Sequence, residues 1–455
     1  MEKKNRQVLW TIPALIIGVA VFCAPVLTPS TPAKEPGSAS GRHSGRHDPV
    51  LSLSGDDAVG GDAIPLHVNL SPLSPPFKSG AIIRIALSRA AKKTVFFTRD
   101  SVFLRQASAG PPIGLSGLIA VVMHSNGRVH LRCGSAPAFR VMLPCTLSTE
   151  DETTGIVFKG HRYRGSMVLD GTRDIMVRNC LEMEDYLRGV VPLEMGKRSW
   201  QEIEALKAQA VASRTYACKH VLFRQKEPFD MLGTIADQVY GGADAETPEA
   251  DSAVGSTQGL VILWGDSLAD IYFHSTCGGR TAAFDEAWDK PPCPYLQSES
   301  DLDPDGKPYC AFSPLFEWDE TWSAEEISSI IRRNSGRDNP GEYFSGRLRR
   351  IRVLDRFPSG RINSCRLEGK KGYFESRSDH LRFVLRRTSG SGGLLRSSNF
   401  TIVENGPRRF TLHGKGYGHG VGMCQMGAVG RARSGQSYDQ ILRAYFSGTE
   451  ISTIN

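Results

Sequence analysis

The chain has 455 residues, 40% of them apolar and 23% charged, which suits a globular protein of two or three domains, or one large domain with an appended module, and excludes global disorder. Its formal charge of +7 is modest for this length; it suits an anionic partner such as a polymer or a membrane surface, and it suits a merely solvated basic face equally well.

Lys3, Lys4 and Arg6 precede residues 8–27, which carry no charge. A run of about 20 such residues predicts a membrane-spanning helix. It is longer than the apolar part of a signal peptide, no small-x-small cleavage site follows, and Phe22 before Cys23 opposes a lipoprotein site. Cations stand before the run and none follows until Lys34, so the N-terminus is expected in the cytoplasm. The expected protein is single-pass in the cell membrane, with its folded part on the extracytoplasmic (periplasmic or cell-wall) side; a cleaved signal peptide would deliver it to the same side. Residues 29–77, rich in Pro, Ser, Gly and Thr, bury too little apolar surface to order themselves and predict a disordered tether.

A strand-rich part is expected at 78–183. The runs AIIRIAL, TVFFT, LIAVVM, RVHLRC, GHRYRGSMVL and DIMVRNCLEM are β-branched or aromatic and are punctuated by turn residues, as in an antiparallel sheet. The period then changes. Residues 199–225 contain no Gly or Pro and predict a helix, with Ser199 and Glu202 spaced as a capping box and Ile203, Leu206, Ala210, Ala217 and Val221 near one face. Further on, GLVILWG and ADIYFHS predict a hairpin through Gly265 and Asp266. A second helix is expected at 322–334, opened by Ser323, followed by a basic strand-like stretch at 348–383, a glycine-dense loop at 414–427 and a last helix at 438–445. The fold class is α+β, antiparallel-strand-rich around a central helix, with boundaries at 1–28, 29–77, 78–183 and 184–455.

Ten cysteines are present; setting Cys23 aside leaves nine, an odd number that strands at least one thiol outside any disulfide. No C-x-x-C pair occurs, so the commonest zinc-ribbon and thioredoxin spacings are missing.

Glu194 stands among apolar neighbours in VVPLEM. A carboxylate buried in such company is raised toward neutral pH, as a proton donor requires, and Pro192 stiffens the backbone before it. A cap or surface ion pair beside the helix would explain the same glutamate. Lys207 and Arg214, seven positions apart, project from one side of the helix, with Gln209 about 140–160° around. They suit a ligand or a solvated face. A cation close to Glu194 would oppose its rise, so burial must dominate for it to hold a proton. In the glycine-dense stretch, His419 and Gln425 are the polar side chains. No window there fits G-x-G-x-x-G or the Walker spacing, which excludes nucleotide binding on that pattern, and no nucleic-acid partner is expected.

Tyr186-Leu187, VVPLEM (190–195) and ALKAQAVASRTYA (205–217) resemble the signature of the stage II sporulation protein D family. ADQVYGG (236–242), with Tyr240, resembles its Q-x-Y-x-G element. IYFHSTCGGRT (271–281), with Ser275, Thr276, Gly278 and Gly279, resembles F-x-S-x-x-G-G-x-T, and GKGYGHGVGMCQMGA (414–428) resembles the family's terminal glycine element throughout. The resemblance implies a peptidoglycan lytic transglycosylase with Glu194 as catalytic acid/base. Its substrate would be glycan strands, peptide-stripped in the family's habit, cut between N-acetylmuramic acid and N-acetylglucosamine with a 1,6-anhydro product. Lys207, Gln209, Arg214, Tyr240, Ser275, His419 and Gln425 would bind the substrate. Close relatives described as amidase modifiers imply the alternative, a non-catalytic module that binds wall glycan and enhances a cell-wall amidase. A hydrolase with Asp237 or Asp244 as second carboxylate is a further alternative. Some members hold zinc through a His and two Cys before the Q-x-Y element; residues 221–240 contain neither type, so no metal and no cofactor are expected. Cys277 with Cys310 is the first candidate disulfide.

Overall fold

The computed structural model describes residues 81–454 apart from 107–109, 151–154, 335–343, 388–392, 405 and 407–408. The expected membrane segment (1–28) and tether (29–77) lie outside the described residues. Among the described residues no helix is long and apolar enough to cross a membrane.

The chain is mixed α+β. Its alternating segments build an 11-stranded sheet, antiparallel along most of its length. Ile82–Ser88 pairs with Met176–Glu182, which pairs with Ser166–Asp170, then Cys145–Thr149, Lys93–Gln106, Ile113–Met123 and Val129–Cys133. Period-two burial puts Ile83, Ile85, Ile119, Val121, Leu131, Leu147, Met167 and Leu169 in the core. The sheet does not stop at residue 183. Met231–Leu232, beyond the central helix, adds in parallel to Ile82–Ser88, where the Arg84 guanidinium donates to both oxygens of Asp230 at 3.0 and 2.6 Å.

The central helix runs Ile203–Phe223, after a 3-10 turn, Trp200–Glu202, opened by the expected Ser199/Glu202 capping box. It is not a one-faced helix. Ala205, Ala208, Ala210, Val211, Ala212, Ser213, Thr215, Tyr216 and Ala217 are all buried, around the full turn. The small residues let other elements press against every side, so an apolar stripe understates its burial.

Three expectations are corrected. Trp322 belongs to a strand, Glu317–Ser323, because Trp318, Glu320 and Trp322 are buried alternately; the helix is Ala324–Asn334, with Ser323 donating its N–H to Glu326 and its Oγ accepting from the Glu326 N–H. The hairpin at Gly265 and Asp266 joins Leu260–Trp264 only to Ser267–Leu268. The rest of ADIYFHS leaves it, Phe273–His274 pairing in parallel with Met423–Cys424, while Glu450–Thr453 takes the other edge of Leu260–Trp264. The glycine-dense stretch is loop only in part: Gln425–Arg433 is a helix whose N-cap, Cys424, accepts from the Gly427 N–H. The last helix, Tyr438–Tyr445, stands where expected.

Residues 317–415 gather a second core. Glu317–Ser323, Arg409–Lys415 and Phe400–Glu404 form one three-stranded sheet, and Ser345–Arg356, Ile362–Lys371 and Tyr373–Arg377 another. Trp318, Trp322, Ile327, Ile331, Leu367, Phe400 and Phe410 fill the space between them. The basic stretch at 348–383 is thus half of a separately cored insertion, placed between the Cys310 turn and the glycine loop. Phe410→Ala should destabilise the chain by about 3–5 kcal/mol in a denaturant titration, since an aromatic ring leaves a cavity that its neighbours fill only partly; a cost under about 1 kcal/mol would contradict this core.

Candidate active site

Two short helices carry the first signature. Met183–Arg188 buries Tyr186 and Leu187, and Val191–Met195 buries Val191, Pro192, Glu194 and Met195. Pro192 sits in the first turn, where its missing N–H has no helical partner to lose. Gly196, at φ 71°, ends the helix and turns the chain away.

Glu194 has no exposed surface. The Val239 N–H donates to Oε1 at 3.2 Å and Gln425 Nε2 donates to Oε2 at 3.3 Å. Burial is the largest influence on the carboxyl and raises it from 4.5 to about 7, against those two donors, which favour the anion. Among the described residues no cation hydrogen-bonds or ion-pairs with it, so the opposition expected from a neighbouring Lys or Arg does not arise there.

The Q-x-Y element acts through three successive residues. Gln238 is held by the Tyr186 hydroxyl, which donates to its Oε1 at 3.0 Å. Val239 turns its N–H to Glu194, and the Tyr240 hydroxyl donates to Asn179 on the large sheet at 2.8 Å. Tyr240 is therefore an inward anchor, packed between Tyr163 and Tyr186. Gly189 makes room for it: a Cβ there would stand 2.6 Å from the Tyr240 ring. Gln238 and the Val239 amide were not singled out from sequence, although the Q-x-Y spacing pointed to them.

Lys207, Gln209 and Arg214 do not hydrogen-bond to Glu194. Lys207 donates to Glu204 at 2.7 Å. Gln209 is buried and donates to Ser213 Oγ at 3.0 Å, its own Oε1 without a partner. Arg214 is only 1% exposed, far from the solvated face its spacing allowed. It forms a two-pronged pair with Glu184 at 2.8 and 2.6 Å and donates to the carbonyls of Leu260 and Val254. These bonds stitch the central helix to the Met183–Arg188 helix. Asp237 is occupied by Arg224 at 2.8 Å and by the Leu232 N–H at 2.7 Å, and Asp244 pairs with Arg162 at 3.4 Å.

Ser275 is buried; its Oγ meets Thr276 Oγ1 at 3.2 Å, and its carbonyl accepts from the Met426 N–H. His419 lies in a cluster with Tyr272, His274 and Trp288, ring centroids 6.2, 5.6 and 5.2 Å away. Its Nδ1 accepts from the Val421 N–H at 3.1 Å, which leaves the proton on Nε2. Burial lowers His419 to about 4, so it is neutral at pH 7. His274 is lowered further by the same cause, and its Nε2 has no partner. Of the residues expected at the site, Gln425 is the one the structure joins to Glu194; no hydrogen bond joins His419 to it.

The family profile described as Stage II sporulation protein matches residues 172–264, which contain Tyr186, Glu194, Arg214 and the Q-x-Y element. A protein of Brachyspira hyodysenteriae without an assigned function is 33% identical over 66% of this chain and 75% of its own length. The stage II sporulation protein D of Bacillus subtilis is 28% identical over 60% and 75%. The chain belongs to the stage II sporulation protein D family. Bacillus subtilis also has an amidase enhancer that is 29% identical over 59% of this chain, of whose own length only 40% is matched. A second profile, a domain of unknown function, covers residues 309–422. It coincides with the separately cored insertion, so the family region and the insertion meet at the turn around Cys310 and at the glycine loop.

Two outcomes test this geometry. Arg214→Ala should cost about 3–5 kcal/mol in chemical denaturation, because it leaves Glu184 without its partner; a loss of activity at unchanged stability would move Arg214 from scaffold to substrate. The folded chain keeps a proton on Glu194 that the unfolded chain releases above about 4.5. Stability should therefore fall as pH rises from about 4.5 through about 7, by on the order of 3 kcal/mol, and then level off. Melts of wild type and Glu194→Gln at pH 5 and pH 8 should show this component in the wild type alone.

Proposed function

We propose that the chain is a peptidoglycan lytic transglycosylase acting in cell-wall remodelling, tethered to the cell membrane by residues 8–27 with its folded part on the extracytoplasmic side. The observation that carries the reading is the Glu194 carboxyl, raised to about 7 by burial and touched by two neutral donors. At neutral pH such a group is present in both protonation states, as an acid that must later act as a base requires.

Protonated Glu194 gives its proton to the glycosidic oxygen as the bond to the anomeric carbon of N-acetylmuramic acid breaks. The carboxylate so formed is met by the Val239 N–H and the Gln425 amide, already in place. It then takes the proton of the sugar's own 6-hydroxyl, whose oxygen closes on the anomeric carbon as a 1,6-anhydro ring. The attacking oxygen belongs to the substrate, so no second carboxylate or bound water is needed. The commitment of Asp237 to Arg224 and of Asp244 to Arg162 supports one working carboxylate over a hydrolase pair. Glu194 is fully enclosed, so the surrounding loops must part to admit glycan.

That enclosure, with the likeness to an amidase enhancer, favours a second reading: a module that binds glycan and raises the activity of a wall amidase without cutting. Peptide-free glycan separates the two. The enzyme releases 1,6-anhydro fragments, Glu194→Gln lowers the rate by at least about 100-fold, and the wild-type rate falls above about pH 7 as the acid ionises. No fragments from wild type, with glycan still bound, would establish the module. Reducing ends in place of anhydro ends would establish a hydrolase.

A further inference from the structure

Four deeply buried side chains converge at the junction of the family region with the insertion: Cys277, Asp301, Cys310 and Cys424, their donor atoms all within 4.8 Å of one another. Cys277 and Cys310 do not form the expected disulfide. Both are free, Sγ to Sγ 3.5 Å, with Cys424 completing a group of three sulfurs and Asp301 Oδ2 lying 3.2 Å from Cys277 Sγ. We propose that these four residues form a tetrahedral Zn²⁺ site that pins together the Phe273–Gly279 turn, the 294–310 loop and the glycine loop.

The donor set is three soft sulfurs and one carboxylate oxygen, a combination that favours zinc over magnesium or calcium. With Zn–S bonds of about 2.3 Å a tetrahedron sets its sulfurs about 3.8 Å apart, close to the separation seen, whereas a disulfide brings them to about 2.05 Å. A disulfide would use two of the three sulfurs and leave the third beside a fully buried carboxylate. A cation uses all four.

The surroundings are those of a metal shell. Asp301 Oδ1 accepts from Arg431 Nε at 3.0 Å and from the Tyr445 hydroxyl at 2.9 Å, which aims Oδ2 at the sulfurs. Backbone N–H groups donate to the sulfurs: Cys277 and Gly427 to Cys424 at 3.1 and 3.2 Å, and Gly279 to Cys277 at 3.3 Å. Such donors stabilise thiolates. Arg431 offsets part of the negative charge that three thiolates and a carboxylate leave around one Zn²⁺. The backbone leaves no slack: a Cβ at Gly427 would lie 2.2 Å from Asp301 Oδ2. The four residues all lie beyond the segment 221–240 that ends at the Q-x-Y tyrosine. Its consequence for Glu194 is positional, because Cys424 is followed directly by Gln425.

The full-length chain, produced in zinc-supplemented medium and purified without chelator, should carry about one zinc per chain by elemental mass spectrometry. Cys310→Ser and Cys424→Ser should retain less than about a tenth of that, while Cys365→Ser, a buried cysteine of the second core, retains it all. Co²⁺ exchanged into unmutated protein should give the visible bands of a tetrahedral thiolate site, a reading that needs no variant to fold and no glycan to be cut. Wild type with less than about a tenth of a zinc per chain after reconstitution would overturn the site. So would full zinc retention in Cys310→Ser, or a Cys277–Cys310 linked peptide as the main form in an unreduced digest. Metal content is read independently of turnover, so loss of the transglycosylase reading would leave this result intact, and the reverse.

Discussion

Removing the Glu194 carboxyl from water penalises its ionised form, and much of the surrounding chain serves to hold that penalty at a useful size. Burial alone would keep the acid protonated; two neutral donors bring it back to about 7. The donors arrive from segments far apart in the sequence. Val239 is presented by a segment tied to Tyr186 and, through Tyr240 and Asn179, to the large sheet. Gln425 is presented by a helix that begins at the cysteine cluster. A charged donor in either place would lower the acid further; Arg214 is committed to Glu184 instead.

The glycines of the terminal element serve proximity as much as flexibility. Gly427 and Gly430 lie inside a helix, where glycine is unfavourable by about 1 kcal/mol. A Cβ at Gly427 would strike Asp301 and the Tyr445 hydroxyl, and one at Gly430 would come within 2.1 Å of the Tyr309 carbonyl. Gly420 lies against the guanidinium of Arg361, a fully buried arginine of the insertion that reaches the Cys277 and Gly418 carbonyls. The insertion is therefore locked to the glycine loop by backbone contact at distances that no side chain would permit.

Expectation and structure part for consistent reasons. The sheet, the central helix, its capping box and the last helix were legible because period and caps are local properties. The strand at Trp322 was misread because a helix-opening Ser323 follows it by one residue. The Gln425–Arg433 helix was missed because its glycines read as loop, and their purpose lies in Asp301 and Tyr309, more than a hundred positions away. Lys207 and Arg214 shared a helix side as expected, but which elements cover that side is decided by packing.

By itself the sequence determined the α+β class, the family signatures and the identity of Glu194 as the carboxyl in apolar company, because adjacent residues suffice to state each of these. Only the tertiary structure decided that Glu194 has no exposed surface, that its partners are Val239 and Gln425, that Arg214 is committed to Glu184, and that Cys277, Asp301, Cys310 and Cys424 meet at one point. Those facts depend on which distant segments come to share a volume, and burial and hydrogen bonding are set by that volume rather than by order along the chain.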